Sequence, residues 1–352
     1  MRKFYVFFSF SILLLFTLTA CNSTENTSAP KEVDDNEKNV AVVEDELEVV
    51  KNMFEPLGDI PIPEDNPMTD EKIELGKMLY FDNRLSGNNQ MSCMTCHIPT
   101  AGYGDNLKTF NGFEGAVGTR NSPTIINSGY YKENFWDGRA KSLEEQALGP
   151  IQSEVEMNQD LDELVNELMA VPKYVSEFEN VFDERITIDN IAKAIAAFER
   201  TIVVTDTPFD QYLLGDNDAI TSEAKEGMEL FAGKASCISC HAGPLLSDHN
   251  YYNTGISGDE GRFAVTGQEA DRGAFRTSGL RGITQTAPYM HDGSLETLMD
   301  VVDFYNAGGG TDPNKSVLIR PLNLTEKEKL ALVEFLKSLG GDVPVVETPE
   351  IP

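Results

Sequence analysis

The chain has 352 residues, with 28 Lys and Arg against 58 Asp and Glu, a formal net charge of −30. That length suits two domains once the ends are set aside. The acidic balance argues against a nucleic-acid partner, because phosphate recognition needs basic surface; an acidic face would instead steer a basic redox protein.

Residues 1–21 read as a targeting signal. Arg2 and Lys3 precede an apolar run from Phe4 to Leu18, and small residues then lead to Cys21. The run is short for a spanning helix, which needs about 20 apolar residues. The stretch "LTAC", Leu18 to Cys21, is similar to the lipobox of bacterial lipoproteins, whose cysteine is lipidated after cleavage. The alternative is a plain secretory signal, with Cys21 lost or idle. The expectation is export to the periplasmic side of a bacterial membrane, with a lipid on Cys21 as anchor instead of a span. Residues 22–50 are polar, acidic and free of aromatics, and read as a flexible tether.

The folded part reads as all-α, with helical segments joined by long loops rich in Gly, Asn and Pro. In "DEKIELGKMLYFD", Ile73, Lys77 and Tyr80 fall near one face, with Leu75, Met78 and Leu79 nearby. "DNIAKAIAAFERTI" repeats Ile191, Ala194, Ile195 and Phe198 at helical spacing. "SEAKEGMELFAG" is a third helix. In "HDGSLETLMDVVDFYNAGGG", Leu295, Leu298, Val302 and Tyr305 share a face. "TEKEKLALVEFLKSLGG" opens with a Thr325/Glu328 capping-box pattern and ends at a glycine pair. No alternating apolar run demands a large sheet. The two halves look like distant copies of one unit, a helix followed by C-x-x-C-H. The expected domains are 51–210 and 211–345.

Those motifs are Cys93-Met94-Thr95-Cys96-His97 and Cys237-Ile238-Ser239-Cys240-His241. Two thiols at i and i+3 on a helical turn can bond both vinyl groups of one porphyrin, and the adjoining histidine then meets the iron. Zinc would need four converging ligands, and a thioredoxin-like pair would want a βαβ context. Each motif therefore reads as a c-type haem site, with His97 and His241 as axial ligands. The fifth cysteine is Cys21, so none is left for a disulfide. Only His249 and His291 remain among the histidines. His249 lies eight residues after His241, where a surface or hydrogen-bonding role is expected. No histidine stands between His97 and His241 to cover the first haem's other face.

Residues from about 55 to 340 resemble the bacterial di-haem cytochrome c peroxidase/MauG superfamily. The resemblance rests on "ELGKMLYFDNRLSGNNQMSCMTCH", "RNSPTIINSGYYKENFWDGRAKSLEEQALGPIQSEVEM", "DTPFDQYL", "GRFAVT" and "LRGITQTAPYMHDGSLETLMDVVDFYN". It implies two cytochrome c-like domains, the first haem reacting with hydrogen peroxide and the second transferring electrons. It implies that Trp136 lies between the haems, that Glu156 is the acid/base of the peroxide site and that Gln146 orients the substrate. It further implies a calcium ion held by Asn121 and the carbonyls of Thr286 and Pro288, and, as family members are often dimers, a homodimer.

Two positions depart from the standard peroxidase. Many members carry a capping histidine in the loop before "RNSPT"; here Phe113 stands there and cannot ligate iron. At Tyr305 the standard family has a methionine ligand, whereas MauG-type enzymes have a ligating tyrosine. Alternatives are a tyrosine hydrogen-bonded elsewhere, or ligation by Met290 or Met299. The leading expectation is a peroxidase fed by a small cytochrome c or cupredoxin. A MauG-like oxidase of a partner protein is the second, and a non-catalytic electron carrier the third.

Overall fold

The structure, a computed structural model, describes residues 47–352. The expected signal, its Cys21 and the tether up to residue 46 lie outside the described residues. Residues 47–51 are helical, and Leu47 and Val50 pack on the core of the second half. The last four residues of the expected tether are thus folded chain. No helix among the described residues is long and apolar enough to cross a membrane.

The described chain is mostly helix and loop. One two-stranded antiparallel sheet pairs Tyr251–Tyr252 with Phe275–Arg276. Each half is organised on one crossing of two helices. In the first, Asp70–Phe81 meets Ile188–Glu199; in the second, Ser222–Ala232 meets Glu326–Ser338. All four helices begin at a threonine, Thr69, Thr187, Thr221 or Thr325, whose side chain accepts a first-turn N–H. Losing such a cap costs about 1 kcal/mol. At Thr325 the expected capping box with Glu328 forms.

The crossings repeat residue for residue. A Cβ on Gly76 would lie 1.9 Å from the Ala194 carbonyl oxygen, and one on Gly227 would lie 2.0 Å from that of Ala331. No real side chain tolerates such an approach, so glycine lets the backbones touch. One turn further on, Tyr80 meets Phe198 and Phe231 meets Phe335, each with ring centroids 5.0 Å apart. This supports the reading of the halves as copies of one unit.

Two expected faces shift. The buried stripe of the first helix is Lys72, Leu75, Gly76, Leu79 and Tyr80, not one through Ile73 and Lys77. Lys72 tolerates burial because its ammonium donates to Asn66 Oδ1 at 2.9 Å and to the Pro67 carbonyl at 2.7 Å. Leu295 lies ahead of helix Leu298–Asn306 and bridges to Tyr289, because the Thr297–Asp300 capping box starts the helix after it.

The chain's ends cross between the halves. Phe54 packs on Phe209, Phe231 and Phe335 in the second core. Val343, Val346 and Ile351 pack on a cluster of Tyr80, Phe81, Tyr103 and Phe198 in the first.

Candidate functional site

The first motif folds as one helical turn, Cys93–Cys96, and the His97 N–H donates to the Cys93 carbonyl at 3.0 Å. The second is a 3-10 turn, Cys237–Ser239, with the His241 N–H donating to the Cys237 carbonyl at 2.9 Å. In both motifs the same backbone bond, from the histidine N–H to the first cysteine's carbonyl, closes the turn. All four thiols are free of disulfides.

Both imidazoles are held alike. Nδ1 of His97 lies 3.2 Å from the Tyr103 carbonyl, and Nδ1 of His241 lies 2.9 Å from that of Leu246. A carbonyl only accepts, so each Nδ1 carries the proton and each Nε2 is left with a lone pair for a metal. Burial lowers both pKa values, with the carbonyls opposing, which keeps both rings neutral.

A cavity of about 370 Å³ opens at the second motif. Cys237, Cys240 and His241 line it, and Tyr305 and Met290 reach it as well. The Tyr305 hydroxyl makes no hydrogen bond among the described residues. Burial, then the neighbouring thiols, push its phenol well above the ordinary range. Met299 instead packs against the second core. Lys234, Arg276 and Arg320 line the cavity and no Asp or Glu does. In a chain of net charge −30, this local excess of cations suits the two propionates of a porphyrin. Free thiols, a neutral histidine, an apolar cavity and cations for carboxylates make a donor set that fits a c-type haem.

A carboxylate acts on the second thiol of each motif; at Cys240 it is Asp248. Burial pushes the Cys96 thiol up to about 11, and the carboxylates of Asp105 and Glu156 add to that rise. Glu156 sits on the turn after helix Leu143–Gln152, which carries Gln146. Burial raises the Glu156 carboxyl above its usual range, against the pull of Arg139 and a hydrogen bond from Ser153. The Gln146 side chain has no hydrogen-bond partner among the described residues. Phe113 opens a short turn pressed against this segment. A Cβ on its neighbour Gly112 would lie 1.9 Å from the Val155 carbonyl oxygen.

Trp136 lines the cavity and belongs to none of the hydrophobic core clusters. It is held from both halves. Its Nε1–H donates to the Asn121 carbonyl at 2.9 Å, and its own carbonyl accepts from the Arg276 N–H at 2.9 Å. His291 stands edge-on to the indole, with centroids 6.4 Å apart, and stacks on Phe275 at 3.6 Å. Burial takes the His291 pKa down to about 4. The following Asp137 binds Arg120 at 2.6 Å and Arg139 at 3.0 Å, which fixes the turn.

Asn121, Thr286 and Pro288 all line the same cavity. The Asn121 amide donates to the Leu107 carbonyl at 2.8 Å, and its Oδ1 receives no hydrogen bond among the described residues. Among those residues, no group of three or more His, Cys, Asp or Glu could hold a metal ion. His249 differs from expectation. It stands edge-on to Tyr131 with centroids 6.0 Å apart, and its Nδ1 is buried without a hydrogen bond.

Sequence reasoning missed the role of "RNSPT" as a hub. Arg120 grips Asp137 and Asp259, Asn121 holds Trp136 and His291, Ser122 bonds Cys96 and the Pro123 carbonyl faces His97. Contacts made by four consecutive residues leave no periodic signal; the hint available was the place of "RNSPT" in the stretch that carries the resemblance.

A family model for di-haem cytochrome c peroxidases matches residues 70–218. Cytochrome-c peroxidase IdrP1 of Denitromonas iodatirespirans is 41% identical, over 84% of this chain and 89% of that protein. The methylamine utilization protein MauG of Methylorubrum extorquens is 39% identical, over 87% of this chain and 89% of that protein. Among solved structures, a MauG-like protein associated with microbial copper homeostasis superposes with a TM-score of 0.75 at 34% identity, covering 80% of this chain and 93% of that one. With the paired motifs and the repeated helix crossing, these likenesses establish that the chain belongs to the di-haem cytochrome c peroxidase family.

Proposed function

We propose that the protein reduces hydrogen peroxide to water at the first motif, with electrons from a small cytochrome c or cupredoxin. The observation that carries this reading is the half-buried carboxyl of Glu156 beside Cys96, raised above its usual range, with the non-ligating Phe113 in the adjoining turn. Cys93, Cys96 and His97 would hold one haem, which would supply the iron for peroxide chemistry, and Cys237, Cys240, His241 and Tyr305 would hold a second, which would supply a store of oxidising equivalents. Cleavage requires a proton to move from one peroxide oxygen to the other. Glu156 takes that proton and returns it, and the free Gln146 amide orients the substrate. Trp136, gripped from both halves, couples the two sites. The two-domain reading then becomes one cytochrome c-like unit per half.

Calcium is proposed at Asn121 Oδ1 and the carbonyls of Thr286 and Pro288; neutral oxygens of this kind suit a hard cation. Export to the periplasmic side with a lipid on Cys21 is proposed from the signal alone.

A second reading, oxidation of a partner protein in the manner of MauG, is favoured by Tyr305, whose unbonded hydroxyl faces the cavity of His241. The spectrum of the ferric protein tests the common site. One high-spin and one low-spin haem are expected, with reaction toward peroxide before any reduction. Two low-spin haems would remove the open site from both readings. Turnover with reduced cytochromes or cupredoxins separates peroxidase from protein oxidase.

A further inference from the structure

The two proximal histidines are held by the same bond, but the residues that offer the carbonyls are anchored differently. Tyr103 and Leu246 both have left-handed backbones, with φ of 54° and 56°, and both are fully buried. For a side-chain-bearing residue that conformation is strained and needs surrounding structure to hold it. Leu246 is held inside its own half, within the second core. Tyr103 is held by the chain's far end. Its hydroxyl donates to the Pro344 carbonyl at 2.7 Å. Val343, Val346 and Ile351 pack on its cluster, and Arg84 donates to the Pro352 carbonyl at 2.7 Å. From the other side, the Tyr80 hydroxyl donates to the His97 carbonyl.

We propose that residues 343–352 form a strap that, through Tyr103, sets the orientation and basicity of His97, making Tyr103 a positioning residue for the first haem. The inference rests on the haem reading of His97. A carbonyl held firmly against Nδ1–H makes the imidazole a more basic ligand. A stronger donor favours oxidised iron, which suits a site that must give electrons to peroxide. Among the described residues Leu246 has no such strap, so residues 343–352 would tune the histidine of the first half and not that of their own.

The test uses full holoprotein, Tyr103→Phe, and a chain shortened after Gly341. Two readouts report the His97 bond without turnover: the reduction potential of each haem, and the iron–histidine stretching band of the ferrous protein. In both variants the first haem's potential should shift upward and its band to lower frequency, with the second haem unmoved. Unchanged values in Tyr103→Phe, or equal shifts at both haems, would overturn the strap while leaving the haem reading intact. If the shortened chain does not fold, Tyr103→Phe decides alone. A wild-type chain with fewer than two covalent haems would overturn the haem reading and this inference with it.

Discussion

The helices bearing Gly76 and Gly227 meet their partners through matching residues, yet the motifs they support have unlike surroundings. At the second motif the cavity is lined by cations, four tyrosines and no carboxylate. One carboxylate, Asp248, acts on Cys240 just outside that lining, whereas two, Asp105 and Glu156, act on Cys96 at the first motif, where Phe113 leads the adjoining turn. One scaffold thus carries two electrostatic environments. The difference lies in loops, where substitutions leave the helix crossing untouched. Such a difference is what the proposed division of labour between the halves requires.

The contrast breaks most sharply at Glu156. Glu156→Gln should cut peroxide turnover by roughly 10²–10⁴-fold, the usual worth of a general acid–base group. Both haem spectra should stay as they were; unchanged turnover would end the catalytic role. The wild-type rate should fall with pH on the acid side. The carboxylate must be free to take a proton, and burial raises the pH at which it is lost. In the Gln variant that limb should vanish.

On the second side, Tyr305→Phe should change the absorption spectrum and potential of the second haem only. A silent substitution would hand the ligand role to Met290, which shares the cavity.

Smaller effects probe what the halves share. Gly76→Ala and Gly227→Ala should each destabilise by about 1–3 kcal/mol, the common cost of overpacking. Thermal unfolding followed separately at each haem would check this. If only one substitution matters, the crossings are not equivalent.

Much of this was legible in the chain. The thiol spacing announces its chemistry because covalent attachment demands i and i+3. Gly76 and Gly227 precede their motifs at matching helix positions, so the duplication is visible too. Other features were hidden. Lys72 looks like a surface residue until Asn66 and Pro67 close on its ammonium. Glu156 is one acid among 58, and nothing local marks it, because its pKa is set by burial that the fold supplies. Leu295 matched the helical period, but the Thr297 cap decided where the helix begins.

By itself the sequence determined the two C-x-x-C-H motifs, the helical repeat and the lack of any histidine between His97 and His241, since each depends on residue type and local spacing. Tertiary structure alone decided which carboxyl reaches Cys96, how "RNSPT" grips Trp136, and that the far end of the chain anchors Tyr103 behind His97. Those features join residues up to 241 positions apart, and contacts over such distances exist only once the cores have packed.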